Sequence, residues 1–215
     1  MNDFFNNFTQ QRSFNLNKDR FDQIAKKYDG PSRIHLADTI AAEVNKVFEN
    51  TSYQSLLDYG GGTGLVTLNI EHHFDEVIMM DAASQMIEVF ESKISELGKT
   101  HINAYVGDIL SDETQINTSY DVVFLSLVLL HSGDYKALLT ALRAKLNSGG
   151  LLVLVDFNKN ENVYHPKVYN GFEQTDIQQL FTELGLTDVQ SHTFYEGQNI
   201  FMNKDASLFI ATGRS

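Results

Sequence analysis

Four glycines fall within five positions in Leu56-Leu57-Asp58-Tyr59-Gly60-Gly61-Gly62-Thr63-Gly64-Leu65, directly after a short apolar run and directly before a stretch of helical periodicity. A glycine loop between a strand and a helix occupies the nucleotide-binding position of an open α/β sheet. Glycine suits that place because a side chain holds a ligand away from the backbone and because tight turns often demand a positive φ. The dinucleotide spacing G-x-G-x-x-G is not met: counted from Gly60 the sixth position is Leu65, and counted from Gly62 it is Thr67. What stands is D-x-G-x-G-x-G, from Asp58 to Gly64.

The rest of the chain supports a sheet around that loop. From Leu56 onward, β-rich apolar runs alternate with helical periodicity, the pattern of βαβ units on a parallel sheet. Strands are expected at Ser55–Tyr59, Glu76–Asp81, Ile102–Val106, Asp121–Ser126 and Gly150–Phe157, with helices at Leu65–His72, Gln85–Leu97 and Tyr135–Leu146. Ser84 and Ser132 are placed to cap the second and third of these helices. The unbroken run Leu151-Leu152-Val153-Leu154-Val155 suits a strand covered on both faces. Ahead of the sheet, Asp19–Tyr28 and Arg33–Phe48 read as two helices separated by Gly30-Pro31, forming a cap over one edge of the site, with the Phe4, Phe5, Phe8 and Phe14 segment adding a lid. After the fifth strand, Thr175–Leu184 reads as a helix stopped by Gly185, and Val189–Tyr195 and Ala206–Thr212 are expected to pair antiparallel.

Through Asp58 to Gly64, which match its first motif, the chain resembles the class I S-adenosylmethionine-dependent methyltransferase family of small-molecule type, from about Phe21 to Ser215. The resemblance implies a three-layer α/β/α Rossmann-like sandwich: a mostly parallel seven-stranded sheet with an antiparallel C-terminal strand, plus an N-terminal helical cap. Residues 1–50 are then the cap, integrated with a core domain over 51–215. The implied cofactor is S-adenosyl-L-methionine. Asp81, ending the second strand, is placed to accept both ribose hydroxyls; the other reading is a helix N-cap, and following the glycine loop at this distance the ribose role is preferred. In similar enzymes the residue at Asp108 meets the adenine amino group and that at Ile109 packs on the ring, while Gly-Asp after a strand is otherwise a turn. Ala82 adjoins the ribose position, and Met86 packs either on adenine or in the core. In related enzymes the end of the fourth strand faces the methionine part of the cofactor and the acceptor, which makes Ser126 a contact candidate. Phe21-Asp-Gln-Ile-Ala-Lys-Lys-Tyr28-Asp29 is similar to a segment in which the Tyr approaches the cofactor carboxylate, and it is equally an amphipathic helix burying Phe21, Ile24 and Tyr28.

Methyl transfer from a sulfonium needs alignment and exclusion of water more than catalytic groups. Where the acceptor needs a base, His131 or His165 can serve near neutral pH, and each reads equally as a solvated or capping residue. Tyr164, Tyr169 and Phe172 around His165-Pro166 are expected to line an aromatic acceptor pocket. Two other readings stay open: a cofactor-binding regulator or scaffold without turnover, and a nicotinamide-dependent oxidoreductase, which the missing third fingerprint glycine disfavours.

Composition bounds the partners. A formal net charge of −12 repels phosphate backbones and anionic membranes, so neither nucleic acid nor a membrane is an expected partner; the resemblance implies a small-molecule acceptor. The absence of cysteine removes disulfides, thiolate metal sites and thiol nucleophiles. No bound metal is expected: no HExxH spacing occurs, and His72 and His73 are expected on different faces of their helix. The N-terminus lacks the apolar core of a secretion signal and Val122–Leu130 is too short to span a bilayer, so a cytoplasmic location is expected. Monomer and homodimer both remain open.

Overall fold

A computed structural model describes residues 18–49, 51–111 and 118–215; the expected Phe4, Phe5, Phe8 and Phe14 lid lies outside them. The strands are β1 (Ser55–Tyr59), β2 (Glu76–Asp81), β3 (Ile102–Val106), β4 (Tyr120–Ser126), β5 (Leu146–Phe157), β6 (Thr187–Phe201) and β7 (Lys204–Arg214). They form one seven-stranded sheet in the order β3-β2-β1-β4-β5-β7-β6. β1 to β5 are mutually parallel. β7 enters antiparallel between β5 and β6, so it is the one reversed strand. Helices α1 (Pro31–Phe48), α2 (Thr67–Ile70), α3 (Ser84–Glu96), α4 (Tyr135–Arg143) and α5 (Gln174–Glu183) accompany it.

The apolar runs explain which strands are central. Val122 to Leu125 in β4 and Leu152 to Val155 in β5 have no exposed surface, because both faces of the sheet are covered there. Each such side chain contributes roughly 1.5–3 kcal/mol by leaving water. α1 starts on Pro31 after an extended Gly30, and it buries Ala37, Ile40, Ala41, Val44 and Phe48, one face of a 3.6-residue period. Residues 18–24 form a separate helical segment ending in a 3-10 turn at Ala25–Lys27. Gly185 stops α5 with φ +77°.

Several local expectations are corrected. Ser84 and Ser132 do not cap their helices. Asp22, 63 residues away in sequence, accepts from the Gln85 amide at the start of α3 (2.9 Å), and Asp134 accepts from Ala137 N at the start of α4 (3.0 Å). Ser132 instead donates to the Leu129 carbonyl. The helix expected over Leu65–His72 shrinks to α2 and then tightens into a 3-10 turn at Glu71–His73, where Glu71 is drawn to Lys99 Nζ at 2.6 Å and His101 Nε2 at 2.5 Å. His72 and His73 do not diverge: their rings pack with centroids 4.2 Å apart. α4 stops at Arg143 because β5 starts early, with Leu146 paired to Tyr120.

Candidate active site

The chain runs from β1 outward to β2 and β3, then returns to the other side of β1 as β4. Loops leaving β1 and β4 therefore diverge, opening a crevice at their carboxyl ends. A cavity of about 400 Å³ lies there, walled by the glycine loop, the ends of β2 and β4, the segment from Lys18 to Tyr28, α1 and the tip of the β6–β7 hairpin.

Most of the residues singled out in the sequence meet at this cavity. Tyr28, Asp58, Gly60, Gly61, Gly62, Asp81, Ala82, Met86, Asp108, Ser126 and His131 are on its wall. Ile109 is not: it is buried in the core, and Leu110 takes the place on the wall. His165 is also absent from the wall, its Nδ1 accepting from Lys167 N at 3.2 Å. The aromatic pocket expected beside it is not formed. Tyr164 is 90% exposed, while Tyr169 and Phe172 pack with Tyr135 away from the cavity, Tyr169 donating to the Gly133 carbonyl.

The glycines divide by role. Gly60, Gly62 and Gly64 have φ of +76°, +60° and +76°. A Cβ on Gly64 would lie 2.1 Å from the Phe90 ring, and one on Gly60 would lie 2.4 Å from Val128, so these two serve packing. A Cβ on Gly62 would meet nothing within 4 Å; this is the place where backbone lies open to the cavity.

The three aspartates are held differently. Asp58 is fully buried one residue inside the end of β1 and accepts the Thr67 hydroxyl at 2.6 Å. Burial pushes its pKa up to about 7, with the Asp81 charge adding to the rise and the Thr67 bond opposing it. Asp81 accepts from the amides of Gly62 (2.9 Å) and Ala83 (2.8 Å), one on each oxygen. Burial raises its pKa and those two amides oppose the rise. Asp108 accepts the Tyr59 hydroxyl at 2.7 Å and the Leu110 amide at 3.0 Å on one oxygen, and the Ser111 hydroxyl at 2.9 Å on the other. Each carboxylate oxygen carries two lone pairs, so Asp81 keeps acceptor capacity on both oxygens and Asp108 on the one facing Ser111.

Sequence reasoning missed three parts of the site. Tyr59, two strands away from Asp108 in the sheet, aims it; only the fold brings them together. Asp29 accepts the Thr63 hydroxyl at 2.5 Å and the Lys93 ammonium at 2.7 Å, while Lys93 also donates to the Thr63 carbonyl at 2.6 Å. With the Asp22–Gln85 bond, this fastens the segment before α1 to the glycine loop and to α3. The third part is the hairpin tip: Ile200, Phe201 and Met202 line the cavity, with the Phe201 ring stacked on Phe157 at 4.2 Å.

At the β4 end, Leu127 sits at φ +56°, an unusual conformation for a branched residue, between wall residues Ser126 and Val128. His131 follows in a 3-10 turn, edge-on to Phe21 with centroids 5.3 Å apart. Burial, with the Arg20 and His165 charges, lowers its pKa to about 4, so its ring is neutral at pH 7. It is thus a weak base there. Arg33 covers the Tyr28 ring with its guanidinium carbon 4.0 Å from the centroid.

Among the described residues no helix is long and apolar enough to cross a membrane, and no group of three or more acidic or His side chains is placed to hold a metal ion. Residues 32–191 match the family model described as a methyltransferase domain. An uncharacterized methyltransferase of Schizosaccharomyces pombe is 23% identical over 76% of this chain and 64% of its own length. The ubiquinone/menaquinone biosynthesis C-methyltransferase UbiE of Shewanella sp. strain W3-18-1 is 26% identical over 70% of this chain and 60% of its own. The chain thus spans less than two thirds of the length of these relatives. A crystal structure of a SAM-dependent methyltransferase from Aquifex aeolicus superposes with a TM-score of 0.63 at 18% identity, covering 90% of this chain and 97% of that one.

Proposed function

The chain belongs to the methyltransferase-domain family, and we propose that it binds S-adenosyl-L-methionine and transfers the methyl group to a small-molecule acceptor in the same cavity. The observation that carries this reading is the convergence of open backbone at Gly62 with Asp81 and Asp108 on one wall.

The residues fit that ligand chemically. The space over Gly62 admits a ligand against main chain, Asp81 has lone pairs for a ribose diol, and Asp108, aimed by Tyr59, has one for an adenine amino group. Met86 and Leu110 supply apolar surface for a ring. Met86 also packs with Ala25 and Ala83, so the core and adenine readings of this residue are compatible. Tyr28 and Ser126 are assigned to the methionine end. When bound, the donor supplies an electrophilic methyl on a positively charged sulfur. The protein's part is then to orient the acceptor and keep out water, which the Asp22 and Asp29 contacts of the cap assist.

The test is calorimetry with S-adenosylmethionine and with NAD. Binding of the first and not the second is expected, and Asp81→Ala and Asp108→Ala each weaken it by about 1–3 kcal/mol. Unchanged affinity in both variants, or preference for NAD, sinks the reading.

A further inference from the structure

The cavity wall is divided by chemistry. Its carboxylates and open glycine backbone lie on the side of β1 to β3, while the opposite side is apolar: Leu36 and Ile40 from α1, Leu130, Phe157, and Ile200 and Phe201 from the hairpin tip. Three cations also line the cavity in a protein whose formal net charge is −12: Arg33, which lies over the Tyr28 ring, and Lys18 and Arg20 from the segment before α1. Arg20 is near enough to His131 for its charge to act on the imidazole, and His131 is itself packed edge-on against Phe21. An acceptor lodged here therefore meets grease around its body and N–H donors at one end.

We propose that the acceptor is an apolar carboxylic acid, bound as its carboxylate by Arg20 and Lys18 with the His131 ring beside it, and that the product is its methyl ester. This deepens the methyltransferase reading and rests on it. An oxygen of the carboxylate forms the new bond to the methyl carbon as the carbon–sulfur bond breaks and its electron pair passes to sulfur. No proton is released, so no base is needed. That requirement matches the wall: His131 is neutral and weakly basic at pH 7, and Asp58, the fully buried carboxyl there, is held by Thr67. An arginine beside the carboxylate is a charge-assisted, bidentate donor, whereas a neutral hydroxyl gains far less from it.

The protein is first titrated with S-adenosylhomocysteine, then, once saturated, with octanoate, decanoate and 3-phenylpropionate, each beside the alcohol of the same carbon skeleton. At least one acid is expected to bind tenfold or more tightly than its alcohol, with Arg20→Gln abolishing that preference and leaving S-adenosylhomocysteine affinity unchanged. With labelled methyl donor, the product of that acid releases its label as methanol in mild alkali, as an ester does and an ether does not. If S-adenosylhomocysteine binds but no acid outbinds its alcohol, or Arg20→Gln leaves the preference intact, the carboxylate inference is overturned and the methyltransferase reading stands. If S-adenosylhomocysteine itself fails to bind, both fall.

Discussion

The Asp29 carboxylate accepts the Thr63 hydroxyl at 2.5 Å, joining the segment that precedes α1 to the middle of the glycine loop. Asp29 also pairs with Lys93 at 2.7 Å, so one carboxylate links the cap, the loop and α3. Asp29→Ala removes both partners. The pair is partly exposed, so the expected loss is about 1–2 kcal/mol and falls mainly on closure of the cap. Hydrogen exchange of amides in residues 18–37 should speed up several-fold, with roughly tenfold weaker S-adenosylmethionine binding. Unchanged exchange would show that the contact does not govern the cap.

Two glycines in the same loop should respond in opposite ways. Gly64→Ala combines a positive φ with a Cβ 2.1 Å from the Phe90 ring, so it should destabilise the fold by about 2–4 kcal/mol in denaturant unfolding. Gly62→Ala meets open space, leaving only the backbone penalty of about 1 kcal/mol. Its larger effect should be on ligand binding, because the added methyl enters the cavity.

Asp156 is fully buried at the end of β5, accepting from Leu130 N at 3.2 Å and Phe157 N at 2.8 Å beneath the turn that carries His131. Burial pushes its pKa from 3.8 to about 7 against the pull of those amides. A raised carboxyl favours folding while protonated, so its contribution is complete below about pH 4 and is lost as pH rises through 7. Asp58 acts in the same direction, and His131, lowered to about 4, acts oppositely over pH 4–6.5. The cleanest measure is therefore a difference. The stability of the wild type relative to Asp156→Asn should fall by a few kcal/mol between pH 4 and 7 and be flat above about pH 8. A pH-independent difference would show that Asp156 stays ionised.

Phe201 is 3% exposed, and its ring lies nearly parallel to Phe157, with an interplanar angle of 5°. Phe201→Ala should cost about 3–5 kcal/mol of stability. Because the ring also forms cavity wall, Phe201→Leu, which keeps most of the volume, should retain S-adenosylmethionine binding while weakening the acceptor.

What the sequence disclosed and what it withheld follow one physical division. β1, β2 and β3 have the bounds read from the sequence: β1 and β2 are buried over most of their length and leave a local apolar signature, while β3, at the sheet edge with only Ile102 buried, is marked by its place between a helix and the Gly107-Asp108 turn. The glycine loop and the Asp81 and Asp108 positions were legible for a similar reason: each is defined by its distance from a strand end. The partnerships were not. Gln85 is capped by Asp22 instead of its neighbour Ser84, and Asp108 is aimed by Tyr59, 49 residues distant. Nothing local to either residue carries that information. The same holds for the wall opposite the aspartates, where His165 and its aromatic neighbours are absent and the hairpin tip fills in. Position along the chain shows which strand an aromatic follows, but not which way its loop folds.

The insertion of β7 between β5 and β6 has a consequence for assembly. While the chain is being synthesised, β5 presents a bare hydrogen-bonding edge and β6 has no neighbour until residues 204–214 emerge. Ile200 to Met202 reach their place only when that reversed strand zips into the gap. Until that pairing closes, the crevice lacks the wall formed by Ile200 to Met202, and the open edge of β5 is a place for edge-to-edge association.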